Sequence, residues 1–572
     1  MQLTDQQIML LEQLTYLNDG VAEAAGVRLG AYQSVERLLQ EFDEAALQRL
    51  EQSDKTLNGE IDGKEWAAII RAIKNDEQLY SMNIADRNED VKAICFTEPG
   101  SEGEAIVAFR GTSGQREWED NSDGLYSADT ECQKEALAYI ESLPYDDITV
   151  TGHSKGGNKA QYVTILSDKV NRCVSMDGQG FSPEFLNKYY AEIERKGGCI
   201  VNYYLEGDFV NILLFPVPGS DRICIVRRDD VTGAKNHSPG AFYEYYMNEQ
   251  GQWVIKYDDD GQTELVLGQQ AQSMVYLHEF ICFVLNVMPY EDRKEISDYI
   301  GKLMALALTN NGVVEVNGVT YTKDNIMEYL MSEPKLLGRF LAYFIKYAET
   351  YELTEEEIRD LAEVMGLEEF LDMLDTAYEE NWTVRVMIDN AGGIFNFIVK
   401  QLGDGKEDKI IGMLLDWLSS WLNDKGIKVD AREIWKNIES EYTDIPAFNG
   451  KTARNDGTCK STVTRDFSKS TYDRLMGTID AVEAMTYGSV SGWSGYAGEE
   501  WYSSLMISSA VRGITTYFNK VSQINQQSKN KITEVFENAL AEDRARACEL
   551  KEINEELHTI TDKIIEMAEK LS

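Results

Sequence analysis

The chain has 572 residues, about four times a typical ~150-residue domain, so two to four domains are expected. Hydrophobic residues make up 43% and charged residues 27%, enough apolar material for a sizeable core and too much for global disorder. With 55 Lys and Arg against 98 Asp and Glu, the net charge of −43 repels phosphate backbones and anionic lipid. Electrostatic recruitment to nucleic acid or membranes is thereby excluded, while contact with lipid through a local apolar face stays open.

The scarcity of Pro, 9 residues in all, points to long helices. The eight Cys show no C-x-x-C spacing and sit mostly in apolar runs, which favours buried reduced thiols over metal or redox sites. The N-terminus, Met1-Gln-Leu-Thr-Asp, lacks the basic start and apolar stretch of a signal peptide. The most apolar helical stretch, Tyr276 to Met288, is interrupted by His278 and Glu279, so no transmembrane segment is expected. Synthesis in the cytoplasm without a cleaved signal follows as the expectation.

Residues 1–80 read as an N-terminal helical segment, with Ile8, Leu11 and Leu14 and then Val35, Leu38, Leu39 and Phe42 at helical spacing. Within it Asp54, Thr56, Asn58, Gly59, Asp62 and Glu65 fall at the spacing of an EF-hand loop. Calcium is one reading of that loop; the other is a helix–loop–helix whose Asp, Asn and Gly are cap and turn residues. From about 91 to 245 short apolar runs alternate with longer polar or helical segments: Val91–Phe96, Ala105–Phe109, Ile148–Thr151, Cys173–Met176, Ile200–Leu205 and Ile223–Val226. That alternation predicts an α/β domain with a mainly parallel sheet.

Beyond 270 the pattern is helical, as in Lys335–Ala348, Glu355–Ala377 and Lys409–Asn423, with one hairpin signal at Asn311–Gly318. Asn449–Lys460 reads as a linker. Residues 451–572 hold 15 Lys and Arg against 18 Asp and Glu, so nearly all the excess acid precedes it. At the end Leu550, Ile553, Leu557, Ile560, Ile564, Met567 and Leu571 form a seam that needs an apolar partner, either a helix of this chain or another protein.

The most informative stretch is Ile148-Thr-Val-Thr-Gly-His-Ser-Lys-Gly-Gly-Asn. A β run enters Gly152-His153-Ser154-Lys155-Gly156 and a helical segment leaves it, the setting of a nucleophile elbow with Ser154 at its tip. On this fold the acid follows the Ser and the His comes last. Of four His, His153 is inside the elbow and His278 and His558 lie in helical regions, which leaves His237 as the general base. The acid has two candidates, Asp208 and Asp177. The usual order, acid after the second strand beyond the elbow and His after the third, favours Asp208. Oxyanion donors are expected from the backbone N–H of Lys155 and from Thr112, in the loop after Ala105–Phe109.

Phe109-Arg-Gly-Thr, Glu117-Trp-Glu-Asp-Asn, Gly152-His-Ser-Lys-Gly-Gly, Asp208-Phe-Val and the late His resemble the class 3, fungal-type lipases among the α/β-hydrolases, in a bacterial form. The resemblance covers about 80–290. It implies a Ser154–Asp208–His237 triad, an oxyanion hole completed by Thr112, no cofactor, and hydrolysis of esters of acyl lipids by a lipase or phospholipase. Lys155 departs from the apolar residue usual in lipases, which bears on the preferred substrate.

Between two helical segments, Trp493-Ser494-Gly495 resembles the helix–W-x-G–helix hairpins of WXG-type proteins exported by type VII secretion in Gram-positive bacteria. That resemblance implies small helical partner proteins and a secreted lipase toxin. The fold class expected is therefore α/β: an α/β-hydrolase domain at 81–290 preceded by helices at 1–80. A helical middle domain at 291–450 and a helical, WXG-like hairpin module at 451–572 follow it. Two competing readings are a resident cytoplasmic esterase and a catalytically silent hydrolase fold serving as an interaction protein.

Overall fold

Seven strands form the central sheet of the computed structural model, and they lie side by side in chain order: β1 (Asn83–Asn88), β2 (Ala93–Thr97), β3 (Glu104–Phe109), β4 (Asp147–His153), β5 (Val170–Met176), β6 (Ile200–Leu205) and β7 (Asp221–Ile225). The first three pair antiparallel, and β3 to β7 are parallel. The structure describes residues 3–445 apart from Asp54, Thr232, short stretches between 309 and 325 and much of 365–429. The linker at 449–460, the Trp493–Gly495 hairpin and the Leu550–Leu571 seam lie outside the described residues.

Parallel neighbours in unbroken chain order have a physical consequence. Crossovers share one hand, so a run with no reversal of strand order carries all its crossover helices on one face. Those helices are α7 (Gln115–Asp123), α8 (Glu131–Ser142), α9 (Lys155–Leu166), α10 (Pro183–Lys188) and α11 (Tyr190–Lys196). The opposite face needs cover from elsewhere, and the N-terminus supplies it with α1 (Asp5–Gln13), α2 (Asp19–Ala25), α3 (Val35–Leu39), α4 (Glu44–Glu51), α5 (Gly63–Asn75) and α6 (Glu77–Tyr80).

Strand alternation feeds the two faces. Ala93, Cys95, Ala105, Val107, Phe109, Ile148 and Val150 pack with Ala136, Ala160 and Val163 of the crossover helices. Ile94, Phe96, Ile106, Ala108, Val174 and Met176 pack with Ile8, Leu11, Leu47 and Ile69 of the N-terminal helices. Burial on both faces is why the central strands read as continuous apolar runs rather than alternating ones. β1 was not foreseen because it is a polar edge strand; the short hairpin β8 (Tyr245–Met247) and β9 (Trp253–Ile255) also went unseen.

Beyond the sheet, α12 (Gln272–Val287) and α13 (Tyr290–Leu308) precede the expected hairpin, β10 (Val313–Val316) and β11 (Val319–Thr322). Next come α14 (Ile326–Ser332), α15 (Pro334–Thr350), α16 (Glu355–Val364) and α17 (Ala431–Asp444). Phe280 and Phe283 of α12, Tyr343 and Tyr347 of α15 and Ile438 of α17 join the core of the crossover layer. One core thus runs across residue 290, and the other runs across residue 80. Apolar faces on both sides of each position are buried against one another. Among the described residues no helix is long and apolar enough to cross a membrane.

A chain beginning at residue 81 exposes the Ile94, Ile106 and Val174 face of the sheet. It is expected to lose cooperative thermal unfolding and to bind a hydrophobic dye, whereas residues 1–445 unfold in a sharp transition.

Candidate active site

Ser154 stands between β4 and α9 with φ 59° and ψ −124°, a conformation that costs a non-glycine residue about 1–3 kcal/mol. The turn closes because its flanks are bare. A Cβ on Gly152 would lie 2.3 Å from the Gly156 carbonyl carbon, and one on Gly156 would lie 2.0 Å from the Phe109 carbonyl oxygen. The Ser154 N–H donates to the Met176 carbonyl at 2.9 Å, so the turn is hung on the end of β5. Ser154 also precedes the first turn of α9, where N–H groups have no intrahelical acceptor. The Lys155 N–H is one of them.

Asp208 follows β6 and is fully buried. One carboxylate oxygen accepts from the Val210 and Asn211 N–H groups, both at 2.9 Å, and from the Asn211 amide at 3.0 Å. Arg222 holds that amide by donating to Asn211 Oδ1 at 2.9 Å. The other oxygen lies 2.6 Å from His237 Nδ1. With the Nδ1 proton directed at Asp208, Nε2 of His237 is the basic nitrogen, and it has no hydrogen-bond partner among the described residues. The ring lies 4.6 Å from that of His153 and 5.5 Å from that of Phe209, centroid to centroid.

Asp177, the alternative acid, ends β5 at φ 44°. It is fully buried, and Oδ1 accepts from the Leu205 N–H at 2.9 Å. Burial first, and then the charge of Asp208, holds its carboxyl well above the usual carboxylate range. The carboxyl that meets His237 is that of Asp208, at 2.6 Å.

The Thr112 loop is anchored on both sides. Arg110 N–H donates to the Lys92 carbonyl at 2.9 Å, Gly111 N–H to the Tyr16 hydroxyl at 3.0 Å and Ser113 N–H to Glu117 at 2.7 Å. Asn121 donates to Thr112 Oγ1 at 2.9 Å, so the Thr112 hydroxyl proton is free for another acceptor.

Lys155 does not enter the site. Its side chain is 1% exposed and pairs with Asp120 at 2.5 Å, while Lys159, one turn on, pairs with Glu117 at 2.7 Å. Thus one face of α7 (Glu117, Asp120, Asn121) grips one face of α9 and the Thr112 loop together. Burial pushes both carboxyls up, but the lysines and further hydrogen bonds outweigh it, and both titrate below the usual range.

The loop of His237 rests on the N-terminal helices. Ser238 donates to the Gly59 carbonyl at 2.7 Å, Lys235 reaches Asp62 and Glu65 at 3.0 Å, and Arg228 reaches Glu65 at 2.6 Å. Asp62 caps α5 by accepting from the Glu65 N–H at 3.0 Å, and Glu65 accepts from the Asp62 N–H at 2.9 Å. Asn58 donates to the Tyr16 carbonyl at 2.7 Å, and Thr56 bridges to Asp62. The acidic side chains of the EF-hand-like spacing are thus engaged by cations and a helix cap, the second reading of that loop; Asp54 lies outside the described residues. His153, Asp177 and His237 each offer a ligand atom within 4.8 Å of the others. In that group His153 Nδ1 already meets Tyr16 and His237 Nδ1 meets Asp208.

Sequence reasoning missed Tyr16, which no motif marks, and the partners of Lys155 and Lys159. The spacing of Glu117 and Asp120 against Lys155 and Lys159, three and four residues, was a usable signal.

Asp208→Asn is expected to lower turnover of an ester substrate about 10³–10⁴-fold by reversing the imidazole tautomer. Asp177→Asn keeps an oxygen to accept from the Leu205 N–H and is expected to stay within about fivefold of wild type, since His237 Nδ1 meets Asp208 instead. Steady-state kinetics of the two variants checks this. Asp120→Asn leaves Lys155 unpaired and is expected to cost about 3–5 kcal/mol at neutral pH. Because the folded carboxyl is depressed, its contribution is complete above the unfolded value near ~4 and is lost as pH falls through the lower folded value. Urea unfolding at stepped pH should therefore show a flatter acid limb in the variant.

Residues 73–239 match the family model described as Mbeg1-like, a span from the end of α5 through all seven strands to just beyond His237. No curated protein and no solved structure matches the chain. What the chain is similar to, over the stretch that carries Ser154, Asp208 and His237, is the Mbeg1-like family.

Proposed function

We propose that this chain is a serine hydrolase of the α/β-hydrolase kind that cleaves carboxylic esters, with acyl lipids as the substrate class. The observation that carries the reading is the strained Ser154 between β4 and α9, next in the chain to His153, whose ring lies 4.6 Å from that of His237, while His237 Nδ1 is held 2.6 Å from a buried carboxyl group. The lipid assignment draws on the class 3 lipase-like motifs and on the match to Mbeg1-like, a lipase-like family.

In this mechanism His237 Nε2 takes the Ser154 hydroxyl proton as Oγ bonds to the acyl carbon. The carbonyl oxygen becomes an oxyanion, which accepts from the Lys155 and Thr112 N–H groups and the Thr112 hydroxyl. As the tetrahedral species collapses, the C–O bond to the alcohol breaks and imidazolium returns the proton to the leaving oxygen. Water, deprotonated by the same imidazole, then releases the acid and restores Ser154. Asp208 stabilises the imidazolium throughout. His153 does not compete for the proton, because burial, and then the charge of His237, keeps it well below the usual imidazole range.

The test is hydrolysis of p-nitrophenyl esters of graded chain length, followed by phospholipid vesicles, with Ser154→Ala as the comparison. Activity that rises with acyl length and falls at least ~10⁴-fold in the variant is expected. A folded wild-type protein that neither hydrolyses any ester nor labels with a fluorophosphonate would instead make the fold a silent interaction protein.

A further inference from the structure

The loops that carry the reacting groups end beside one side chain from the opposite end of the sequence. Tyr16 follows α1 and is 6% exposed. Its carbonyl is tied to the side chain of Asn58, and its ring meets His153 edge-on at 5.9 Å and 67°. The hydroxyl lies between two strand ends, 3.0 Å from the Gly111 N–H and 2.8 Å from His153 Nδ1. Gly111 immediately precedes Thr112, and His153 immediately precedes Ser154.

One of these directions is fixed. A phenol has one proton to give and two sites to accept with. Gly111 N–H can only donate, so it occupies one accepting site of the Tyr16 hydroxyl. The hydroxyl meets His153 Nδ1 as donor or as acceptor according to the imidazole tautomer. The approach needs a bare Gly111: a Cβ there would lie 2.4 Å from Tyr16 Oη, 3.0 Å from the His153 carbonyl and 3.1 Å from Ser154 Cβ. β3 ends at Phe109, so no strand neighbour is in register to take the Gly111 N–H.

We propose that Tyr16 is a positioning residue for the oxyanion loop, its hydroxyl pinning the Gly111 peptide to the elbow and thereby setting where Thr112 stands relative to Ser154. This rests on the reading of Ser154 and Thr112 given above. The remaining anchors of the loop, Glu117, Lys92 and Asn121, hold Ser113, Arg110 and the Thr112 side chain. None of them holds the Arg110–Gly111 peptide, one residue before Thr112. Oxyanion stabilisation depends steeply on donor placement, so a small displacement there is costly while substrate binding is little affected.

Tyr16→Phe keeps the ring and removes only the oxygen. Its kcat on a p-nitrophenyl ester, counted per site titrated by a fluorophosphonate, is expected to fall ~10–100-fold with KM within about twofold. In a Thr112→Ala background the same change is expected to cost at least about threefold less, because both substitutions act on one oxyanion. A readout independent of turnover comes from ¹⁵N-labelled imidazoles, four per chain. The His153 Nδ1 signal is expected to lose its hydrogen-bond shift in Tyr16→Phe. Unchanged kcat per titrated site, equal losses in both backgrounds, or an Nδ1 signal that does not move in Tyr16→Phe each overturns the proposal. Should wild type be active, Ser154→Ala dead and Tyr16→Phe fully active, only the role of Tyr16 fails. Should Ser154→Ala hydrolyse as wild type does, it is the reading of the site that fails.

Discussion

The order of the parallel strands constrains everything else. Because β3 to β7 run side by side without a reversal, their crossovers cover one face only, and the sheet stands half bare until the first 80 residues close it. A helical layer recruited from outside the parallel run has its own ends and loops, and these fall near the ends of the strands. Tyr16 meets β3 and β4 there, and the turn of residues 58–65 meets the loop of His237. The segment that solves a packing problem therefore also touches the Thr112 loop, the elbow and the loop of His237.

On the other face the organising force is electrostatic. Two lysines one turn apart on α9 and two carboxylates on α7 are removed from water together, each with a partner and further hydrogen bonds. Such pairs contribute little net stability, since desolvation offsets most of the attraction, but misalignment leaves a bare buried charge and is strongly penalised. They act as a registration device, holding α7 and the loop before it to the elbow helix. α13 packs on α7 from outside, with Ser297 donating to the Ser122 carbonyl. Lys155, which stands where the lipases that the motifs resemble carry an apolar residue, is accounted for by its buried pairing with Asp120.

Much of this was legible from residue order. Continuous apolar runs gave the strands from β2 to β7 because a sheet buried on two faces leaves no polar alternation to misread. The elbow announced itself through glycines whose spacing is a steric requirement. Asp208 and Asp177 could be ranked only by chain order. The discriminating fact is which carboxyl meets His237 Nδ1, and that is a matter of where the loops after β5, β6 and β7 come together. The helices of residues 1–80 were visible, but their place was not, since nothing in an amphipathic helix names the surface it covers. Tyr16 was out of reach for the same reason: its partners lie 95 and 137 residues away. The polar strand β1 was missed because edge position, not composition, makes it a strand.

Those same separations have a meaning in time. α1 is made before the strands it covers, and the sheet face it buries does not exist until β3, β4 and β5 have been synthesised. At ~5–20 residues per second, the 137 residues between Tyr16 and His153 take roughly 7–27 s to emerge. For that interval Ile8, Met9, Leu10 and Leu11, all buried in the finished protein, lack the sheet face on which they come to rest. The sheet can grow strand by strand in the order of translation, but α1 can seat on it only afterwards.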